Sequence, residues 1–428
     1  MNLPKLLAGL ALASVALAAC GGSSGGGGQS IKGTIKIGID LPVSFSDASD
    51  GQPTQNGAKL AIKQAGKVCG ASSHSDACFT LAAFALDDAT AALGGHDPAQ
   101  GAANVRQFIA DNTVLGMVGP FNSSVAKAEI PINNQVDLAM ISPANTNECL
   151  TQKPADGHCK VSGVELHDTL RPTGKNNYFR VCTTDLIQGP AGADFANKKL
   201  GKKKVFVLND QQTYGLGIAQ NFAKQFAADG GTVLNSDLGG YDPTSTKDWH
   251  SQLNKAKSLG ADVVYYGGTT ATGGGQIRKQ MKGILDVPYV AGDGISGNQF
   301  AKDAADNAND SYFTVAGPYP QKLSTAQSFN AAYKKEYSQD VGAYSAQAYD
   351  AANILIAAIG KAIDDAGGNQ PTRDQVTAEV AKTKDFKGAI GTTSFDSNGD
   401  TTLKIITIYK WTSATDTGGT FVDQVTVS

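Results

Sequence analysis

The stretch VLGMVGPFNSSVAKAEIPINNQVDLAMISPANTN, residues 114–147, decides the fold. An apolar run at 114–118 is followed by a polar loop and an amphipathic segment at 125–134, and a second apolar run occupies 138–141. Apolar runs of strand length that alternate with amphipathic segments of helix length predict β-α-β units. Such units place their strands in a parallel sheet and cover both faces with helices.

The same alternation extends along the chain in both directions. Upstream, apolar runs at 35–39 and 79–86 alternate with helical patterns near 56–65 and 99–111. A second series begins at residue 178, with strands predicted at 178–181, 205–208, 232–234, 263–266, 288–291 and 312–315 and helices near 191–200, 218–229, 249–259 and 276–282. Two long helices near 324–336 and 345–366 and a β-rich end with a strand at 403–410 follow. The pattern predicts an α/β protein with two doubly wound, Rossmann-like units.

The first 19 residues have the layout of a secretory signal peptide, with Lys5, an apolar core at 6–16 and small residues before a cleavage point. The core is too short to span a bilayer. Leu17-Ala18-Ala19-Cys20 resembles a bacterial lipobox, which implies a lipid on Cys20 and a flexible Gly/Ser tether over 20–30. We expect a membrane-anchored protein on the extracytoplasmic face, periplasmic or at the cell surface. An ordinary signal peptide with an incidental cysteine is the alternative.

Composition excludes several classes of function. The chain is 41% hydrophobic and 18% charged, which suits folded cores, and its net charge is −3. The lysines at 198–204 lie beside a predicted helix-to-strand turn, where lysine side chains are expected to be exposed to solvent. No nucleic-acid partner is therefore expected. No apolar run of 18 residues follows residue 19.

The remaining cysteines form two close pairs and one single residue. Cys69 with Cys78 and Cys149 with Cys159 each flank a short polar loop, and an exported chain meets oxidising conditions, so both pairs are predicted disulfides. Cys182 lies on an apolar run and is predicted to be a buried thiol. A metal site of Cys149, Cys159, His158 and His167 is the alternative, but the spacing matches no compact zinc pattern, and no metal is expected.

Motifs for catalysis are missing from the sequence. It contains no nucleophile elbow, phosphate-binding lysine loop or zinc-protease helix. GDGISG at 292–297 matches the dinucleotide pattern, but it follows a late strand of the second unit instead of opening a β-α-β unit. We therefore expect no cofactor and no enzymatic activity.

Two polar loops follow neighbouring strands of the first unit. Residues 119–124 end at a predicted helix N-terminus, and residues 142–147 follow the next strand. Ligands of open parallel sheets bind at the carboxyl ends of strands, and free amides at a helix N-terminus suit a carboxylate. Ordinary N-caps and turns would use the same residue types.

Four motifs carry a family resemblance: MISPANTN at 140–147, QGP at 188–190, DQQTYG at 210–215 and VVYYGG at 263–268. In this order they resemble leucine/isoleucine/valine-binding proteins, the extracytoplasmic receptors of branched-chain amino-acid ABC transporters, with the type I periplasmic-binding-protein fold. The resemblance implies two lobes joined by three hinge crossovers, at 31–184 plus 319–405 and at 185–318 plus 406–428. Two crossovers are then expected at 185–190 and 316–318.

The resemblance also implies a ligand site between the lobes. Ser123 would bind a ligand carboxylate, Ala144 and Thr146 would contact the ligand between its carboxylate and its ammonium, and Asp293 would face the ammonium. Tyr214 would close the pocket, and Asp185 would lie near the hinge without a defined role. The remaining site residues are Asn122 and Asn145, in the two polar loops, and Thr269.

The sequence departs from the family along the expected side-chain pocket. Thr269 stands where the family has an aromatic residue, Asn122 where the archetype has a cysteine, and the loop 44–53 lacks the usual tyrosine. Loops 44–53 and 269–275 therefore decide which ligand side chain the pocket accepts. A ligand more polar than leucine fits as well.

We expect a monomeric substrate-binding lipoprotein. It would capture a branched-chain or other small amino acid and deliver it to an ABC permease. A surface lipoprotein that senses another small polar solute (an amide, a urea-like compound or a carboxylate) without transport is the alternative.

Overall fold

The computed structural model describes residues 30–427. The strands are β1 (Ser30–Leu41), β2 (Lys67–Cys69), β3 (Ala77–Asp87), β4 (Ala89–Thr90), β5 (Gly95–His96), β6 (Val114–Val118), β7 (Ala139–Ser142), β8 (Lys160–Val161), β9 (Val164–Glu165), β10 (Tyr178–Arg180), β11 (Lys204–Asn209), β12 (Thr232–Val233), β13 (Val263–Gly267), β14 (Tyr289–Ala291), β15 (Ser311–Val315), β16 (Phe386–Gly388), β17 (Gly391–Thr393), β18 (Ile405–Trp411) and β19 (Thr420–Thr426). The α-helices are α1 (Ala48–Ala65), α2 (Pro98–Ala110), α3 (Ser123–Asn134), α4 (Leu166–Thr169), α5 (Asp185–Asp194), α6 (Thr213–Ala228), α7 (His250–Ser258), α8 (Gly274–Gln280), α9 (Asn298–Ala304), α10 (Gln327–Tyr337), α11 (Ser345–Asp365) and α12 (Arg373–Ala381).

The first sheet has the strand order β10-β7-β6-β1-β3-β2 and is parallel except for β2. The strand β1 lies inside it, between β3 and β6. Its alternate residues Ile35, Ile37, Ile39 and Leu41 are fully buried, as the two-residue period of a strand requires for a face packed on helices. Helices α1, α2, α3, α11 and α12 pack on this sheet, and we call the unit the first lobe.

The second sheet has the order β12-β11-β13-β14-β15-β18-β19. Its first five strands are parallel, whereas β18 and β19 are antiparallel additions at one edge. Every residue of β13 is buried, which is typical of a parallel strand covered on both faces. Helices α5 and α6 pack on this sheet, and we call the unit the second lobe. The predicted pair of Rossmann-like units is confirmed.

The chain passes between the two sheets three times. It leaves the first sheet after Arg180, returns after Val315 to α10, which packs on α1, and joins the second sheet again at Ile405. Residues 185–190, predicted as a crossover, are instead the first turns of α5, so the first link is residues 181–184. The helix starts there because Asp185 has its amide tied to the carbonyl of Thr146 at 2.7 Å.

Several elements were not predicted from the sequence, among them helix α12 and the hairpin of β16 and β17. Helix α12 has little apolar periodicity, and its clearest local feature is the capping box of Thr372 and Gln375. The short hairpin of β16 and β17 follows it. Neither has the strong apolar pattern on which strand and helix prediction depends.

Both predicted disulfides are present. Cys69 and Cys78 are opposite each other in the β2–β3 ladder with 4.0 Å between their Cα atoms, and Cys149 and Cys159 have their Cα atoms 5.1 Å apart. Cys182 is a buried free thiol whose sulfur lies 3.2 Å from the carbonyl of Asn145. Burial raises the pKa of this thiol.

Arg180, at the end of β10, is a fully buried cation. Its Nε donates to Asp400 Oδ1 at 2.6 Å, and its Nη1 donates to the carbonyls of Asn145 and Asn147 at 2.9 and 2.8 Å. Its Nη2 donates to the hydroxyl of Thr151. The guanidinium therefore joins the loop after β7 to the segment that leads into the third passage between the sheets.

Replacing Arg180 by Met should destabilise the protein by about 3–5 kcal/mol, because Asp400 would remain buried without its cation. The midpoint of urea unfolding, followed by circular dichroism, measures this. Lys334→Met is the matched control: Lys334 pairs with Asp340 at 2.9 Å but is 54% exposed, and its loss should cost about 0–1 kcal/mol. Equal shifts in the two variants would contradict the structural importance of Arg180.

Candidate ligand-binding site

The loop after β6 brings a helix N-terminus to the cleft between the lobes. Gly119 has φ +129°, and a Cβ there would lie 2.3 Å from the carbonyl oxygen of Asp40, so only glycine allows this close approach to β1. Helix α3 then begins at Ser123 with Asn122 at the N-cap position. The Asn122 side chain makes no capping hydrogen bond, so the amides of the first turn have no side-chain cap.

The loop after β7 is folded by Ser142. Its hydroxyl accepts hydrogen bonds from the amides of Ala144 and Asn145 at 3.2 and 2.9 Å and donates to the carbonyl of Pro120 at 2.8 Å. Asn145 has a structural task, because its Nδ2 donates to the carbonyl of Phe121 and its Oδ1 accepts from the hydroxyl of Tyr178. The two polar loops are thus tied together.

The second lobe brings a buried carboxylate to the cleft. Asp293 follows β14 and is 3% exposed. Its Oδ1 accepts from the Tyr214 hydroxyl at 2.7 Å and from Gln188 Nε2 at 3.0 Å, and its Oδ2 accepts from the Tyr344 hydroxyl at 2.5 Å. Burial raises the pKa of Asp293, and these three hydrogen bonds offset part of that rise.

A small cavity of about 20 Å³ lies where these groups meet, room for about one water molecule. It is lined by Phe121, Asn122, Ser123, Ala144, Tyr214, Thr269, Asp293 and Gly294. Six predicted site residues are therefore brought together. Asn145, Thr146 and Asp185 are buried but do not line the cavity. A larger open groove of about 560 Å³, lined in part by Lys153, His167 and Asn398, contains none of the predicted site residues.

Thr146 and Asp185 lie behind the cleft. The carbonyl of Thr146 accepts the Asp185 amide, while the Thr146 hydroxyl and both Asp185 carboxylate oxygens are buried without a hydrogen-bond partner. Burial raises the pKa of Asp185, and the nearby carboxylates of Glu148 and Asp293 add to the rise. Asp185 therefore lies behind the cleft and forms no part of the cavity wall.

Four residues of the site were not predicted: Phe121, Gly294, Gln188 and Tyr344. Gln188 lies in the QGP motif at 188–190, and Gly294 lies in the GDGISG motif at 292–297. The sequence therefore carried a local signal close to both residues. Tyr344 carries no local signal, because it precedes α11 in the first lobe and reaches Asp293 across the cleft.

Polar contacts hold the lobes together on either side of the cavity. Ser296 donates to Asp50 Oδ1 at 2.7 Å, and Asn147 Nδ2 donates to the carbonyl of Thr213 at 2.9 Å. Burial raises the pKa of Asp50 to about 7. These contacts show that the structure is a closed form of the two-lobed molecule.

His96, in the short β4–β5 hairpin, makes another of these contacts and is itself buried. Its Nδ1 lies 2.7 Å from Asp47 Oδ2, and its Nε2 lies 2.8 Å from Gln212 Oε1 of the second lobe. Both ring nitrogens thus face acceptors. Burial lowers the pKa of His96, but Asp47, Gln212 and the nearby Asp210 outweigh this effect and the pKa is raised.

One cluster has the chemistry of metal ligands. Glu148, Cys149, His158 and Cys159 place their ligand atoms within 4.8 Å of one another, so Glu148 takes the place expected for His167. The two sulfurs form a disulfide and offer no thiolate. Glu148 Oε1 instead accepts from Asn221 Nδ2 of the second lobe at 2.8 Å and faces His158 Nε2 at 2.8 Å, so this cluster forms part of the contact between the lobes.

Within residues 30–427 no helix has both the length and the apolar character needed to cross a membrane.

Two α/β lobes, three passages between them and a polar cleft at the carboxyl ends of the strands define the class of two-lobed solute-binding proteins. The sequence model of the periplasmic binding protein family matches residues 34–417, and the chain belongs to that family.

Named relatives agree with this assignment. The chain is 28% identical over 423 residues to "Leu/Ile/Val-binding protein homolog 1" of Brucella abortus, covering 98% of this chain and 99% of that protein. It is 27% identical over 378 residues to the Leu/Ile/Val-binding protein BraC3 of Rhizobium johnstonii, covering 88% and 91%.

Solved structures share the fold. The leucine binding protein LivK of Thermotoga maritima has a TM-score of 0.75 at 25% identity, covering 92% of this chain and 99% of that one. A solute binding protein of R. palustris in complex with 4-hydroxybenzoate has a TM-score of 0.72 at 18% identity, covering 92% and 97%.

The charge on His96 should stabilise the closed protein in a pH-dependent way. A raised folded-state pKa contributes stability that is fully present below the unfolded value of 6.5 and is lost as pH rises through the raised pKa. We expect His96→Gln to lower the unfolding free energy by about 1–3 kcal/mol at pH 6, and the deficit should shrink by pH 9. Urea unfolding at several pH values measures it. His250→Gln, at an exposed site, is the control, and a deficit for His96→Gln that does not change with pH would contradict the charged form.

Proposed function

We propose that this protein is the substrate-binding component of an ABC importer and that it captures a small amino acid as a zwitterion between its lobes. The observation that carries the proposal is the pairing of a helix N-terminus in the first lobe with a buried carboxylate in the second, both lining one cavity. A zwitterion presents an anion and a cation a few ångströms apart, and such a site complements both.

The carboxylate would bind at the start of α3. The first-turn amides point toward the N-terminus of the helix, where the helix dipole favours negative charge. Ser123 is 2% exposed and adds a hydroxyl, which faces the amide of Asn147 at a long 3.4 Å. Ala144, across the cavity, would contribute its carbonyl.

The ammonium would bind at Asp293. All three hydrogen bonds to this carboxylate come from neutral side chains, so its negative charge has no cationic partner among them. A ligand ammonium would supply that charge in a desolvated site, where charge-assisted hydrogen bonds are strong. Tyr214 and Tyr344 would hold the carboxylate in place from the two lobes.

Binding requires the cleft to widen, because the cavity has room for about one water molecule. The passages at 181–184, 316–326 and 401–404 are where a hinge motion would occur, and the closing contacts are polar. We assign residues 31–184 plus 319–404 and residues 185–318 plus 405–427 to the two moving lobes, because Ile405 already belongs to β18 of the second sheet.

The proposed partners are a membrane permease and the lipid bilayer. Cys20 and all of the tether at 20–30 except Ser30 lie outside the described residues. The proposal of a lipid anchor is therefore supported by the sequence of the signal segment alone. A lipidated monomer would stay close to its permease, and the tether would leave it free to turn and dock.

Isothermal titration calorimetry against the twenty L-amino acids should show one-site binding, with a dissociation constant near ~1 µM (about −8 kcal/mol) for the preferred ligand. Asp293→Asn should weaken binding about 10- to 100-fold and Ser123→Ala about 5- to 10-fold, because each removes a charge-assisted or direct hydrogen bond. Benzoate, which lacks an ammonium, is the control ligand. Tight binding of benzoate, or Asp293→Asn without effect, would exclude a zwitterion.

The mature N-terminus should be acylated Cys20. Intact-mass and peptide mass spectrometry of protein from membranes should find a chain that begins at Cys20 with the added mass of fatty acyl groups. Cys20→Ser should release the protein from the membrane fraction without changing its urea unfolding midpoint. An unmodified Cys20 in the wild type would rule out the anchor.

A further inference from the structure

The wall of the cleft that is left for a ligand side chain is polar. Ser123, Ala144, Tyr214 and Asp293 serve the carboxylate and ammonium of the proposed zwitterion. The remaining side chains that line the cavity are those of Phe121, Asn122 and Thr269. Two of these three carry hydrogen-bonding groups, so an aliphatic ligand side chain would meet an amide and a hydroxyl.

Asn122 is the more telling of the two polar residues. It is 8% exposed, its Oδ1 is buried without a hydrogen-bond partner, and its side chain does not cap α3. Buried polar atoms in folded proteins are almost always hydrogen-bonded, and leaving one unpaired is costly. A carboxamide held at a cavity wall with an unpaired oxygen therefore points to a partner on the ligand or to a water that the ligand replaces.

Thr269 is held in position from behind. The Thr269 hydroxyl lies 3.2 Å from the Thr272 hydroxyl. The Thr272 hydroxyl also accepts from the Thr269 amide at 2.9 Å and donates to Asp210 Oδ2 at 2.8 Å. The Thr269 hydroxyl also accepts from the Thr272 amide at 3.3 Å, so these two contacts use two of its three hydrogen-bonding sites and leave one for a ligand. Because Thr272 fixes the loop, Thr269 cannot turn away to present only its methyl group without losing these contacts.

We propose that the cleft selects amino acids with a short, uncharged polar side chain (a hydroxyl or a carboxamide, as in serine, threonine, asparagine and glutamine) over aliphatic ones of the same size. This inference rests on the proposed function, since it assigns a side-chain class to the same zwitterion site. Among the described residues that line the cavity, Asp293 alone carries a formal charge, and the ammonium would pair with it, so none of them is left to pair with a charged ligand side chain.

Threonine and valine provide the decisive comparison, because they differ only by a hydroxyl in place of a methyl group. A site built to hydrogen-bond a polar group strongly rejects an analogue that lacks it, whereas an apolar pocket rejects an added hydroxyl only moderately. For the hydrogen bond to Asn122 we expect threonine to bind about 10- to 100-fold more tightly than valine. Asparagine should likewise bind more tightly than leucine.

Calorimetry with threonine, valine, asparagine and leucine on the full mature protein tests this. Asn122→Leu should reduce or reverse the preference for threonine over valine, and Thr269→Val should reduce it by a smaller factor. Asn369→Leu, the same replacement at an exposed site remote from the cleft, should leave the preference unchanged. Unfolding midpoints identify any variant that fails to fold. The ratio of threonine to valine affinity in the wild-type protein tests the proposal without any variant.

The outcomes separate the two proposals. Valine or leucine binding as tightly as its polar counterpart to the wild type would overturn the side-chain assignment and leave the zwitterion site standing. An unchanged ratio in well-folded Asn122→Leu would overturn the role of Asn122. If none of the twenty amino acids binds, the proposed function itself fails, and the side-chain assignment fails with it.

Discussion

The buried guanidinium of Arg180 is the interaction on which the arrangement of the cleft depends. It is fully enclosed and satisfies a carboxylate, two carbonyls and a hydroxyl at once. The carbonyls belong to Asn145 and Asn147, which flank Thr146 in the loop after β7, and the carboxylate belongs to Asp400, just before the third passage. A buried ion pair adds little net stability, but removing one partner leaves a charge that the interior cannot solvate. One charge therefore fixes both the shape of the loop after β7 and the path by which the chain returns to the second lobe.

The closed form is held by polar contacts, and this chemistry suits a molecule that must open again. Hydrogen bonds such as those of Gln212, Ser296 and Asn147 exchange with water at small net cost, whereas a large apolar interface would hold the lobes shut. Carboxyl groups also lie close to the contact between the lobes: burial raises the pKa of Asp50 to about 7 and that of Asp210 to about 6. These carboxyl groups therefore lie in a poorly solvating environment, which disfavours their charged forms. The proposed ligand ammonium would shift the balance toward the closed form, because it would interact differently with the two states.

The cleft of this chain consists of a frame and one wall. The start of α3, the loop after β7 and the carboxylate after β14 form the frame, and they occupy the ends of strands that the family fold requires to lie side by side. The wall is made by Phe121, Asn122 and Thr269, and these side chains lie outside the frame. A binding protein can therefore change the side chain it accepts while its fold and its hinge stay the same.

Much of this protein is determined by local sequence. Alternating apolar runs predicted most strands of both sheets, because strand and helix periods are local, and the close spacing of Cys69 with Cys78 and of Cys149 with Cys159 predicted both disulfides. The motifs placed Ser123, Ala144 and Asp293 at the ends of strands. Local pattern was insufficient where stabilisation is tertiary: α12 lacks apolar periodicity, and residues 185–190 became helix because the Asp185 amide bonds to Thr146.

Only the tertiary structure decided which distant side chains meet. Tyr344 reaches Asp293 across 51 residues of sequence, His96 reaches Gln212 across 116 and Arg180 reaches Asp400 across 220. Each pair joins elements that are far apart in sequence and carry no shared local pattern. Their proximity follows from the order of the strands in two sheets and from the closure of one lobe on the other. The sequence thus determined the units and their loops, and the packing of the units determined the cleft.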